Sequence, residues 1–496
     1  MQKRIEVAGI IALVCCLTAF MGKFNGTSWT QAIGHIGTYS SPRVADLNGD
    51  GTKDIIMGMG QLEFNHCDTA VIALDGKDGH VLWHASSRDQ MFGSASFADL
   101  NGDGVADIVI NGRSAELKAI SGADGKILWE YFTPKNRKDS ARFHGLYNFY
   151  NAQFIPDQNQ DQIPEIIVSN GGDVLAAPHD TDRPPGSIMV ISGRDGKLIA
   201  RATTPDRKET YMSIVLNDLD RDGTLDVIFG TGGESIGGHL YRTTLDDILR
   251  EDLSQSILLA SSESKGFIAP PVLADINHDG TLDIIANAVD GRMLAIDGST
   301  NREIWTVTIP DTEAYSSLAV GHFNEDNTPD FFGSFATGVW PDLSWSYQLM
   351  VNGKNGEILF RDSVGYYQTT TPVVADFNAD GIDDALLPVN YQVVNLIWTY
   401  HHHLLMVFDF HNHSTYQIGA SVPGLNVSST PWIGDLDDDQ LLDIVYATMG
   451  DSTNVSLTSG IHIRRLSTQI PITQPVRWGA YMGSHYDGVF AEETVK

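Results

Sequence analysis

The sequence predicts an all-β protein, an eight-bladed β-propeller of four-stranded antiparallel blades, with a seven-bladed ring holding one divergent unit as the alternative. Three observations carry this. An acidic loop recurs eight times along the 496 residues; a short apolar run follows each copy; and a Gly- and Asp-rich hairpin follows most of those runs. Repetition at a period of about 50 residues is the mark of stacked supersecondary units, and four short strands per unit make a propeller blade.

The acidic loop begins as Asp46-Leu-Asn48-Gly-Asp50-Gly51-Thr-Lys-Asp54, with further copies starting at Asp99, Asp157, Asp218, Asp275, His322, Asp376 and Asp435, at intervals of 47 to 61 residues. Small-residue stretches such as Gly93-Ser94-Ala95-Ser96 precede the loops. Runs such as Ile55-Ile56-Met57, Ile108-Val109-Ile110 and Val227-Ile228-Phe229 follow them. These runs are β-branched or aromatic and of strand length, so each loop joins two strands, A and B. Segments such as 72–83 and 119–129, with Asp-Gly turn residues and a closing Trp, read as a hairpin of strands C and D. Ser28-Trp29-Thr30 matches the D-strand tryptophans Trp83, Trp129 and Trp305, so the N-terminus is expected to donate an outer strand that closes the ring.

Oxygen ligands at loop positions 1, 3, 5 and 9, with a carbonyl at 7 and a glycine at 6, suit calcium. Five copies are complete: Asp46, Asn48, Asp50, Asp54; Asp99, Asn101, Asp103, Asp107; Asp218, Asp220, Asp222, Asp226; Asp275, Asn277, Asp279, Asp283; and Asp376, Asn378, Asp380, Asp384. Two rank below them. Asp435, Asp437, Asp439 and Asp443 have Gln440 in place of glycine, and Asp157, Asn159, Asp161 and Glu165 have Gln162 there. The sixth copy, with His322 at position 1 around Asn324, Asp326 and Asp330, is expected to be empty or weak. Five to eight Ca²⁺ ions are therefore expected. An EF-hand is excluded because position 12 holds strand residues such as Met57 and Ile110 in place of a bidentate Glu.

The loops also account for the charge. Their ligand positions hold 25 of the 63 acidic residues, and eight calcium ions would bring the formal −31 to −15. With 32 basic residues and no basic cluster to match, nucleic acid is excluded as a partner. Residues 1–22 carry Lys3 and Arg4 before an apolar run, the pattern of a signal peptide or an N-terminal membrane anchor through residues 5–22. An exported chain follows, periplasmic, cell-surface or secreted, with one propeller domain over 27–496. Cys15 and Cys16 lie in the leader, leaving Cys67 alone, so metal and core must do what disulfides do elsewhere.

The stretch from Phe92-Gly93 through Asp99-Leu-Asn101-Gly-Asp103-Gly104 to Asn111-Gly112 resembles the FG-GAP repeat of integrin α-subunits and of VCBS-type proteins. The Asp-Gly-Lys hairpins with their trailing Trp are similar to quinoprotein repeats. The first resemblance implies a calcium-binding adhesion propeller. The second implies pyrroloquinoline quinone, which is not expected here because the adjacent cysteine pair falls in the leader.

If the acidic loops and C–D hairpins share one face, the long B–C and D–A connections lie on the other. That second face is the expected ligand site. Its candidate lining is Arg142, His144, Tyr147, Tyr150, His179, Arg183, Glu234, His239, Tyr241, Trp340, Trp345 and Trp398. Aromatic faces with a few charged groups suit a glycan or a protein ligand, so the function expected is noncatalytic binding or adhesion. The alternative is a polysaccharide lyase in which His144, His179, His239, Arg183 and Tyr241 act on a uronic acid. The run His401-His402-His403 is expected on a solvent-facing strand and not at a zinc site.

Overall fold

A computed structural model describes residues 28–131, 147–173, 180, 182–212 and 214–490. Eight antiparallel sheets follow one another around an axis. The first four blades span residues 43–87, 96–130, 147–203 and 215–262; the next three span 272–308, 312–366 and 373–423. The eighth takes its three inner strands from residues 432–471 and its outer strand from Trp29–Ile33, which pairs antiparallel with Ile461–Arg465. The ring is thus closed by its own N-terminal strand, and the count is eight. The domain boundaries 1–22 and 27–496 touch residues outside those described. Among the described residues no helix is long and apolar enough to cross a membrane.

Burial follows the strand order. The B strands, such as Asp54–Gly58 and Asp107–Asn111, are buried throughout, because sheets cover both of their faces. D strands alternate: in Val81–Ser87, Trp83 and Ala85 point inward while His84 faces water. Each D-strand tryptophan then ties its blade to the next. The indole N–H groups of Trp29, Trp83, Trp129 and Trp305 donate to the carbonyls of Gly76, Gly122, Gly193 and Gly353, at 2.7–2.9 Å. The accepting glycines open the C–D hairpins, and three residues on, Gly79 and Gly196 lie so close to the indoles that a Cβ would come 2.4 and 2.5 Å from Trp29 and Trp129. At one of the four junctions without a tryptophan, between blades three and four, the short helix Leu245–Leu249 packs Leu245 and Ile248 into the gap.

The axial channel is filled. After the C strand of blade eight, the chain passes the acidic loop of blade seven, where Thr473 donates to Asp376 and Gln474 to Asp383. Residues 476–490 then run along the A strands. Val374 N–H donates to Trp478 O, Ile433 N–H to Gly479 O, and Leu273 N–H to Gly488 O, at 2.6–2.9 Å. Trp478, Met482 and Phe490 are buried there. This plug carries no repeat signature, and the repeat pattern gave no sign of it.

Candidate functional site

The acidic loops and the C–D hairpins share one face. Asn48 donates to Asp75 and Lys77 pairs with Asp50 at 2.8 Å, while Arg194 pairs with Asp161 and Asn352 donates to Asp326. Within each loop the first carboxylate accepts the N–H of position 6, in seven copies at 2.8–3.0 Å. Gln162 and Gln440 adopt φ of 70° and 63°, the left-handed conformation that glycine supplies in the other loops. Loops three and eight therefore close as the complete ones do. The sixth loop has no carboxylate at position 1; instead His322 N–H donates to Asp383 from blade seven.

Position 9 lies deepest. One oxygen of Asp54, Asp107, Asp283 and Asp330 accepts the N–H of the hairpin glycine, and a second oxygen of Asp54, Asp107 and Asp283 accepts that of loop position 2. Burial pushes Asp54 and Asp283 up to about 6 and Asp384 up to about 8. An unpaired charge is disfavoured at these places, and a cation would relieve it. Glu165, Asp275, Asp384 and Asp437 each keep one buried carboxylate oxygen without a hydrogen-bond partner. All four stand at loop ligand positions, so the donor set fits a hard cation. Ligand atoms of Asp157, Asp161 and Glu165 gather within 4.8 Å, as do those of Asp218, Asp220 and Asp222, and of Asp435, Asp437 and Asp443.

Two loops carry Asp in place of Asn at position 3, and both meet an arginine from strand C. Arg242 binds Asp226 through two bonds of 2.8 Å and lies 3.4 Å from Asp220. Arg465 binds Asp443 through two bonds of 3.0 Å and also reaches Asp437. The extra carboxylate is thus neutralised internally, leaving each of these loops with a net charge of three acids, the number of ligand carboxylates in the complete loops that have Asn. The same arginines donate to Gly298 and Gly76 of the following blade.

On the opposite face, the residue seven before each loop's first ligand position stands at the channel mouth: Tyr39, Phe92, Tyr211, Tyr315 and Ser428 are partly exposed, and Tyr150, Ile268 and Thr369 are buried among them. Ring centroids of Phe92 and Tyr150 lie 5.1 Å apart, those of Tyr150 and Tyr211 5.5 Å, and Thr369 meets Ser428 at 3.0 Å. Trp340 extends the aromatic rim, 5.4 Å from Tyr315 and 5.7 Å from Tyr367. A Glu-x-Tyr pair occurs twice. Tyr211 donates to Glu209 and Tyr315 to Glu313, each at 2.7 Å, while Arg183 and Lys265 pair with the same two carboxylates. Burial, reinforced by those carboxylates, drives both phenols well above their ordinary range, so they serve as donors and not as bases. Below the rim a belt of small polar side chains joins neighbouring blades, as in Ser429 to Ser40, Thr430 to Ser41, Ser41 to Ser94 and Ser96 to Ala152.

Of the expected lining, Arg183, Glu234 and Trp340 gather at this mouth, and Tyr150 lies buried beneath it with its hydroxyl accepting from Asn148. Lys265 connects Glu234, through its carbonyl, to Glu313. Tyr147 and Tyr241 need correcting. Both are buried, and Tyr241 stacks on Phe229 in the core between blades three and four, because strand alternation turns it inward. His239 bonds Ser261 at the side of blade four. Trp345 and Trp398 are exposed on the long hairpins of blades six and seven. Arg142, His144 and His179 lie outside the described residues. His403 is also corrected: it is fully buried and bonds Asn390, while His401 and His402 are half-buried. Position −7 of the repeat is the signal that would have found the rim.

With the geometry in place, comparison with known proteins is informative about the fold. The profile of a family described as outer membrane protein assembly factor BamB matches residues 44–146. Protein FAM234B of Homo sapiens is 20% identical over 410 residues, covering 75% of this chain and 61% of that protein. Its Mus musculus counterpart is 20% identical over 393 residues, covering 71% and 57%. The chain thus spans about 60% of the length of these curated relatives.

Among solved structures, a europium-containing methanol dehydrogenase superposes with a TM-score of 0.54 at 10% identity, covering 88% of this chain and 92% of that one. Saccharomyces cerevisiae Sqt1 gives 0.53 at 9%, covering 90% and 99%. The quinohemoprotein alcohol dehydrogenase ADHIIG of Pseudomonas putida HK5 gives 0.52 at 10%, covering 91% and 78%. The shared feature is the propeller. A quinone cofactor does not fit the described residues on the axis, since Trp478, Met482 and Phe490 are buried there.

Proposed function

We propose that this chain is an exported, noncatalytic binding and adhesion module of FG-GAP type, held by calcium on one face and binding a glycan or protein ligand on the other. The observation that carries the reading is the aromatic rim at one repeat position, backed by a floor of hydroxyl groups and closed behind by residues 476–490. Flat aromatic surfaces framed by tied carboxylates offer stacking area with few mobile groups, as recognition surfaces do. Two features speak against the lyase alternative. Arg183 is engaged by Glu209, and the rim tyrosines are held as phenols. The calcium half of the reading draws on the four orphaned carboxylate oxygens and on repetition of the loop.

A glycan array and a cell-surface protein pull-down, each followed by titration of purified partners, test the reading. Trp340→Ala and Tyr211→Ala are expected to weaken binding at least tenfold, with turnover of acidic polysaccharides absent. Unchanged affinity in both variants, or release of unsaturated sugars, refutes it.

A further inference from the structure

Arg43 opens the innermost strand of blade one and is 4% exposed. Its guanidinium lies in the axial channel, 4.3 Å from the ring centroid of Tyr486 in the plug. Nη1 donates to Ala95 O at 2.6 Å, and the buried Nε has no partner. Among the described residues no carboxylate stands within ion-pair distance of it. Asp487 acts on it only from farther away, with its own Oδ1 accepting Val489 N–H at 2.9 Å. Arg242 and Arg465, also buried, each hold a carboxylate through two bonds. Arg43 is therefore a buried cation lacking the partner that those two have.

A guanidinium taken out of water without a counter-charge is strongly unfavourable. Aromatic contact offsets only part of that. A second orphan lies within electrostatic reach: the hydroxyl of Tyr481, buried and without a hydrogen-bond partner. An unpartnered guanidinium N–H and an unpartnered O–H, both buried in the channel, call for an acceptor that carries negative charge. Water would satisfy the bonds and leave the charge. The strands and plug pack closely, which favours a small species with no orientation of its own.

We infer that the axial channel holds a small inorganic anion of halide type between Arg43 and the Tyr481 hydroxyl, enclosed as the C-terminal segment docks. The site lies just beneath the hydroxyl belt of Ser40 and Ser41, so the anion joins blade one to the plug and forms part of the floor of the mouth.

The test uses the full chain at constant ionic strength and constant calcium, replacing gluconate stepwise by chloride or bromide and following thermal unfolding. The wild type is expected to gain stability saturably with either halide. Tyr481→Phe should raise the apparent halide constant at least threefold and Arg43→Met at least tenfold. Crystals grown in bromide are expected to show an anomalous peak beside Arg43 Nε, which decides the matter even if Arg43→Met does not fold. Halide-independent stability of the wild type, an identical response in Tyr481→Phe, or a bromide map empty beside Arg43 overturns the inference.

Discussion

Replacing Arg465 by methionine keeps the length and apolar stem of the side chain and removes a guanidinium that is fully buried between blades eight and one. Two bonds of 3.0 Å to Asp443 and the contact with Asp437 are lost. The Gly76 carbonyl is not orphaned, because Trp29 also donates to it. What remains is a pair of carboxylates, one of them buried, without their cation. Breaking a buried pair in this way costs about 3–5 kcal/mol. Calcium at the same loop would act on the same two carboxylates. An ion at a hundred times its dissociation constant contributes about 2.7 kcal/mol. Because calcium stabilises the wild type as well, the loss measured by urea denaturation, about 3–5 kcal/mol in chelator, is expected to shrink in saturating calcium only by the calcium affinity that the freed carboxylates add in the variant, about 1.4 kcal/mol for each tenfold. A loss below about 1 kcal/mol in chelator, or one equal in both conditions, refutes the assignment of Arg465 as the internal counter-charge of this loop.

Two further outcomes follow from buried groups. His403 is held down to about 3, first by burial and then by Arg464, so the folded form stays neutral where the unfolded chain takes up a proton near pH 6.5. Its folded value is depressed, so the stability it contributes is present above about pH 6.5 and is lost as pH falls toward 3, by up to about 1.4 kcal/mol per pH unit. His403→Gln should flatten the stability profile between pH 6.5 and 4.5; an unchanged slope there contradicts it. Trp478→Ala removes the largest buried side chain of the plug and should destabilise by about 3–5 kcal/mol in chemical denaturation. A loss under about 1 kcal/mol would show that residues 476–490 rest on the ring without supporting it.

The blade architecture was legible because each unit repeats the same chemistry, acids at fixed spacing and β-branched runs, and four of the eight add a tryptophan in the outer strand. Even ring closure could be read from Trp29, since its bond to Gly76 reproduces those of Trp83, Trp129 and Trp305 to the following blades. The plug was hidden for the opposite reason. Residues 476–490 pair with A strands only through isolated bridges, so no periodicity marks them. Arg242 and Arg465 were missed although their partners were named, because the second Asp of loops four and eight looked like one more ligand. The mouth was half-read. Arg183, Glu234 and Trp340 were placed by loop length alone, whereas Tyr147, Tyr150 and Tyr241 were not, since strand residues turn inward or outward by register. The rim residues Tyr39, Phe92, Tyr211 and Tyr315 sit at a constant distance before each acidic loop and needed only an alignment of the repeats to one another.

Calcium is the element on which the rest of the account leans, since it would turn a face of repelling carboxylates into the rigid base of the mouth. Dialysed protein analysed for bound metal, with thermal unfolding recorded before and after a chelator, tests this most directly. The expected result is five or more calcium ions retained per chain and an unfolding midpoint that falls on chelation and returns when calcium is restored. Protein that retains no calcium and unfolds at the same temperature with and without the chelator would contradict it.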